Sequence, residues 1–141
     1  MLRLLALALL PLLIAANDPR GILEVDVTGL RNPRGLVHVC ITRDPAHFPD
    51  CRGDPEAWRQ TTPASIAHLR FAGLIPGRYA VTLFHDENAN QRLDTFIGIP
   101  REGFGFSNGA IARFGAPRFD AVAIDLHPGF TRQSIRLQYL L

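Results

Sequence analysis

Residues Arg78–Asp86 read RYAVTLFHD. In an extended chain Tyr79, Val81, Leu83 and His85 fall on one side, and Ala80, Thr82 and Phe84 on the other. That period of two defines a strand, and the β-branched and aromatic residues favour a pleated backbone. The preceding GLIPG (73–77) supplies a tight turn, because Pro76 presets its own φ and Gly77 accepts a positive one.

Working outward, the same period recurs. SIAHLRF (65–71) places Ala67, Leu69 and Phe71 together, and LVHVCIT (36–42) places Val37, Val39 and Ile41 together. Leu23, Val25 and Val27 alternate with Glu24, Asp26 and Thr28 ahead of the turn GLRNPRG (29–35). Downstream, DAVAIDL (120–126) and RQSIRLQYL (132–140) flank a Pro128–Gly129 turn, with Val122, Ile124 and Leu126 matched to Ile135, Leu137 and Tyr139. Such runs, with no amphipathic helix of useful length, predict an all-β fold. The expected form is an antiparallel β-sandwich of about seven strands, immunoglobulin-like or transthyretin-like, with a small barrel as the alternative.

Two segments break the pattern. Residues 43–65 contain four prolines and read as an irregular connection with one helical turn after Pro55. Residues 86–119 show little regular period. An unstructured connection of that length inside a compact domain is often functional, so a site is expected there.

The start of the chain, MLRLLALALLPLLIAAND, has one basic residue, a short apolar run and small residues before Asn17. This is the layout of a secretory signal peptide over residues 1–16. The run is too short for the ~20 apolar residues of a spanning helix, so no transmembrane span is expected after cleavage. Residues 17–141 then form a single domain. The 15 basic residues less Arg3 leave 14 against 13 acidic ones, and no basic tract stands out. Nucleic acid, which needs a clustered positive face, is excluded as a partner. Cys40 and Cys51 are the only cysteines. In an oxidising compartment they are expected to pair, with two free thiols as the alternative.

The loop HDENANQRLD (85–94) carries oxygen side chains at alternate positions. Asp86, Asn88, Asn90 and Asp94 with the carbonyl of Arg92 match the first half of a calcium loop. Gln91 stands where such loops use glycine for the sharp turn. The competing reading is an Asx-type turn in which the same oxygens bond nearby backbone amides. His85 beside Asp86, with Glu102, could serve acid–base or metal chemistry, or His85 could be a hydrogen-bonded histidine at the core rim. In EGFGFSN (102–108), Phe104 and Phe106 either present rings on an open surface with Ser107 and Asn108 or tuck them under the loop. No G-x-S-x-G elbow surrounds Ser107.

The segments GLRNPRGLVHVCI, FAGLIPGRYAVTLFHDENANQRLD, GIPREGFGFSNGA and APRFDAVA together resemble the bacterial family catalogued as domain of unknown function 2141. The resemblance runs from Leu23 to about Leu140. It implies a small exported protein of Gram-negative bacteria, in the periplasm or cell envelope, with no established activity. Members often carry N-G-K-L-D where this chain has Asn90–Asp94, so Gln91 departs from the pattern. The GLIPGRYAVTLFHD turn and strand are also similar to those of transthyretin-like and carboxypeptidase-regulatory-like sandwiches, which bears on fold alone. The reading that follows is a non-enzymatic binding or structural module of the envelope, with calcium ordering the loop at most and an envelope protein or glycan as partner. The alternative is an envelope enzyme using His85 and Asp86.

Overall fold

A computed structural model of the chain describes residues 19–141. Residues 1–16, read above as a signal peptide, lie outside the described residues. The strands are β1 (Gly21–Thr28), β2 (Leu36–Thr42), β3 (Trp58–Pro63), β4 (His68–Leu74), β5 (Gly77–Asp86), β6 (Thr95–Phe96), β7 (Ile99–Pro100), β8 (Gly103–Phe106), β9 (Ile124–Leu126) and β10 (Gly129–Arg136). One helical turn, α1 (Phe119–Val122), precedes β9. Among the described residues, no helix is long and apolar enough to cross a membrane.

Two sheets stack. The larger runs β3-β2-β5-β8, and β9 pairs with the first residues of β5 on the edge that β8 uses further along. The smaller runs β10-β1-β4. Each sheet turns its alternate residues inward, and a single core results. Leu23, Val25, Leu69, Phe71 and Ile135 from the smaller sheet meet Val37, Ile41, Val81 and Leu83 from the larger. This is the β-sandwich that the alternation predicts, and the two faces of RYAVTLFHD fall as read. Neighbouring strands pair antiparallel with one exception: β1 and β10 run parallel in unbroken register from Gly21↔Gly129 to Thr28↔Arg136.

Several expectations need correction. Residues 43–65 are not wholly irregular. Trp58–Pro63 form β3, antiparallel to β2, and only Thr62 of that strand is buried. An edge strand that contributes so little to the core leaves no apolar period to read. The helical turn expected after Pro55 falls instead at Pro45–His47, where the Asp44 carboxylate accepts from the Ala46 amide at 2.9 Å. The first half of DAVAIDL is α1 and only its end is a strand. Ala67 is exposed, and Tyr139 is half-buried against the core.

The segment 86–119 is also more ordered than its sequence suggests. It contains the β6–β7 hairpin and β8, a full member of the larger sheet. β8 alternates Gly and Phe for a steric reason. A Cβ on Gly103 would lie 2.5 Å from Tyr139 Cε1, and one on Gly105 would lie 2.8 Å from Ile135 Cγ2. The inward positions must therefore be glycine so that the smaller sheet can close on them. The outward positions, Phe104 and Phe106, form a second apolar cluster with Ala80 and Val122, roofed by Phe48 and Phe119.

Candidate functional site

The loop after β5 closes on itself. Asp86 is fully buried. Its Oδ1 accepts from the Asn90 amide at 3.0 Å, and its Oδ2 accepts from the Gln91 amide at 2.7 Å and from His38 Nε2 at 2.8 Å. Asn88 Oδ1 accepts from the Asn90 amide and Asn90 Oδ1 from the Arg92 amide. The two Asn side-chain amides then donate to the two oxygens of Asp94, at 2.7 and 2.9 Å. Glu102, buried immediately before β8, accepts from the amides of Glu87 and Asp94 at 2.8 and 3.0 Å.

These bonds fix the electrostatics. Burial pushes the Asp86 carboxyl up, but hydrogen bonds from His38, Gln91 and Asn90 outweigh it and hold the group below the ordinary Asp value. Burial likewise pushes Glu87 up, and the bonds from Arg31 and Asn32 overcome that and bring it down. Asp94 is lowered by the amides of Asn90 and Asn88.

The sharp turn forms although Gln91 is not glycine: Gln91 takes φ 65° and Ala89 takes φ 57°. Even so, the residues fit a polar turn better than a calcium cage. Every side-chain oxygen of Asp86, Asn88, Asn90 and Asp94 already accepts a hydrogen bond within the loop, and Asp94 receives amide N–H groups where a cation would sit. Among the described residues no group of three or more His, Cys, Asp or Glu side chains is placed to hold a metal.

His85 is fully buried and engaged at both ring nitrogens. The Arg34 carbonyl can only accept, so Nε2–H donates to it at 2.6 Å. In the neutral ring Nδ1 then accepts the Tyr139 hydroxyl at 2.9 Å, while that oxygen accepts from the Arg31 amide at 3.2 Å. The Arg31 guanidinium lies 4.5 Å from the Tyr139 ring centroid. It donates to Glu87 Oε1 at 2.6 Å, the Leu141 carbonyl at 2.8 Å and the Arg101 carbonyl at 2.9 Å. One arginine thus ties the turn after β1, the loop and the last residues together, a role that no local motif announces.

The remaining sequence-derived site residues are structural in position. Ser107 is fully buried, accepts from the Val81 amide at 3.0 Å and donates to the Val122 carbonyl at 2.7 Å. Asn108 is exposed, and its side-chain amide donates to the Ala121 carbonyl. Phe104 and Phe106 are 5% and 6% exposed, so their rings lie beneath the loop. The disulfide joins Cys40 to Cys51 with Cα atoms 5.9 Å apart, which decides against two free thiols.

A wide groove lies on the outer face of the larger sheet. Strand register lays out its floor: Arg59, Cys40, Thr82 and Phe106 form one row across β3, β2, β5 and β8, and Thr61, His38, Phe84 and Phe104 form the next. His38 stacks on Phe84 with ring centroids 4.6 Å apart. Walls rise from residues 91–93 and 97–100, residues 112–116 and residues 49–52, enclosing a groove of about 1450 Å³. Ile97 and Phe114, both highly exposed, stand at its edge. The sequence did contain a hint of it: β5 is apolar on both faces, which a sandwich strand with a solvated outer face would not be.

No curated protein and no solved structure matches the chain. A family model does match, over residues 25–134, and its description is an uncharacterized protein conserved in bacteria. The match covers most of the chain, including the loop, β8 and the groove floor, and on it this protein belongs to the DUF2141 family.

Proposed function

We propose that this protein is an exported, non-enzymatic binding module of the Gram-negative cell envelope, holding an apolar or amphiphilic ligand on the outer face of its larger sheet. One observation carries the reading: the groove of about 1450 Å³, floored by aromatic side chains and walled by loops. Ligand sites in proteins are concave, mostly apolar and few per molecule. The apolar segment at the start of the sequence and the Cys40–Cys51 bridge support export to an oxidising compartment. A non-enzymatic role is supported by His85, Asp86 and Ser107, each buried with its hydrogen-bonding capacity directed at structural partners. The loop 86–94 acts as a brace that sets one wall of the groove and needs no ion to do so.

The test uses residues 17–141 and the neutral fluorophore N-phenylnaphthylamine, which brightens in apolar sites. The wild-type protein should give saturable enhancement. Ile97→Asp combined with Phe114→Asp, two exposed positions at the groove edge, should abolish it while the melting transition persists. Absence of saturable enhancement in the wild type rejects the groove as a binding site. Fractionation of cells expressing the full chain tests export, which fails if the protein stays unprocessed in the cytoplasm.

A further inference from the structure

We infer that the groove is selective for a single-chain anionic amphiphile, an acyl chain ending in a carboxylate. This rests on the groove reading above and names its ligand class. The groove lining includes Arg52, Arg59, Arg92 and Arg113 but one carboxylate side chain, Asp50. The sequence after residue 16 is otherwise close to balanced, with 14 basic residues once Arg3 is set aside from the 15, against 13 acidic. Four arginines against one acid is therefore a local concentration of positive charge.

That charge is poorly neutralised from within. Among the described residues the guanidinium groups of Arg92 and Arg113 make no hydrogen bond or close ion pair, although Arg92 is near enough to Asp94 to help lower its carboxyl. Arg59 donates only to the carbonyls of Cys51 and Asp54. Arg52 has Asp50 at 3.5 Å, and that pair is largely exposed. The Leu141 carbonyl, also at the groove, is already held by Arg31.

The same lining supplies the apolar surface an acyl chain would cover: half-buried Phe84 below, and exposed Ile97, Ile99 and Phe114 at the sides. An apolar trough with a cationic rim matches a molecule whose tail is apolar and whose head is negative. Arginine's planar fork suits a carboxylate in particular, since it can donate two parallel N–H bonds to it. A neutral tail alone would leave the arginine rim unexplained, and a cationic head would be repelled by it.

Three amphiphiles with near-equal tails, eleven carbons in dodecanoate and twelve in dodecyl maltoside and dodecyltrimethylammonium, separate head from tail, each used below its micelle concentration to displace N-phenylnaphthylamine from residues 17–141. Dodecanoate should displace the probe at about tenfold lower concentration than the ammonium, from roughly two half-exposed charge contacts, and high salt should shrink that gap. In Arg92→Gln/Arg113→Gln most of that roughly tenfold preference for dodecanoate over the ammonium should be lost. Probe binding with no head-group preference, or a preference unchanged in the double variant, overturns the anion selectivity and leaves the groove standing. Failure of the probe to bind overturns both.

Discussion

Replacing Gly103 with Ala should strongly destabilise the fold, and the size of the effect follows from one contact. The added Cβ would lie 2.5 Å from both Cε1 and Cζ of Tyr139 and 2.8 Å from its hydroxyl, whereas ordinary contact begins at 3.4 Å. The ring must retreat by about 1 Å, and its 2.9 Å bond to His85 Nδ1 then leaves hydrogen-bonding range. His85 is fully buried, so Nδ1 becomes an unsatisfied buried acceptor, costing about 1–3 kcal/mol. Overpacking adds a further 1–3 kcal/mol or so. Opposing this, alanine for glycine in a strand gains roughly 0.5–1 kcal/mol through the unfolded chain. Taking each range near its middle, the net is a loss of about 2–4 kcal/mol. For a domain of this size that lowers the thermal midpoint by roughly 8–16 °C. Thermal unfolding of residues 17–141, followed by circular dichroism, reads it directly. The mechanism is isolated by pairing the substitution with Tyr139→Ala, which removes the ring that clashes. The double variant should be at least about 1 kcal/mol more stable than the sum of the single effects implies. Strict additivity, or a Gly103→Ala protein within about 0.5 kcal/mol of the parent, would refute the claim that β8 is glycine at this position to admit Tyr139.

Other perturbations address the loop and the outer face. Asp86, Glu87 and Asp94 are all held below their ordinary values of 3.8, 4.5 and 3.8. Lowered carboxylates contribute stability that is complete above those values and lost as pH falls through the folded ones. The midpoint should therefore drop as pH is taken below about 4.5, and Asp86→Asn should flatten the fall; an unchanged slope in that variant assigns the acid sensitivity elsewhere. Reducing the Cys40–Cys51 bridge, 11 residues apart in sequence, should cost roughly 3 kcal/mol in the chain-entropy model, read as a lower denaturant midpoint with reductant, and an unmoved midpoint contradicts it. Thr82 Oγ1 is buried without a hydrogen-bond partner among the described residues, so Thr82→Val should stabilise by about 1 kcal/mol; a loss of stability would mean the hydroxyl has a partner in solution. Millimolar calcium should leave the thermal midpoint unchanged, and a saturable rise would show that Asn88 and Asn90 release Asp94 to a cation.

What could be read from the sequence depended on how each residue earns its burial. Tyr79, Val81 and Leu83 face a core made from both sheets, so their alternation is plain, and the same holds for Leu23, Val25 and Val27. β3 was illegible because an edge strand needs only Thr62 inside. β8 was illegible for the opposite reason: its inward residues are glycines, invisible to any hydrophobic period, and the partners that demand them, Tyr139 and Ile135, lie thirty or more residues away in sequence. The polar loop was found by its spacing, and both candidate chemistries for it were available, because an Asx turn and a calcium loop ask for the same side chains. Only the directions of the Asn88 and Asn90 amides, both toward Asp94, distinguish them.

The loop and the groove are parts of one arrangement. Asp86 fastens the chain at the end of β5 by taking the amides of Asn90 and Gln91, and Glu102, just ahead of β8, takes the amides of Glu87 and Asp94. Those two buried carboxylates fix where residues 91–100 leave the sheet, and that segment is a wall of the groove. His38 links Asp86 to the floor, since the ring that donates to it also stacks on Phe84. A buried, charge-assisted network is a costly way to close a turn that alternate residues could close with less. Its expense is intelligible if the turn must hold a wall at a set distance from an aromatic floor, because an apolar trough that collapses onto its own rings has no room for a ligand. Under the proposed binding role, Asp86 and its partner His38 would serve to keep the groove open.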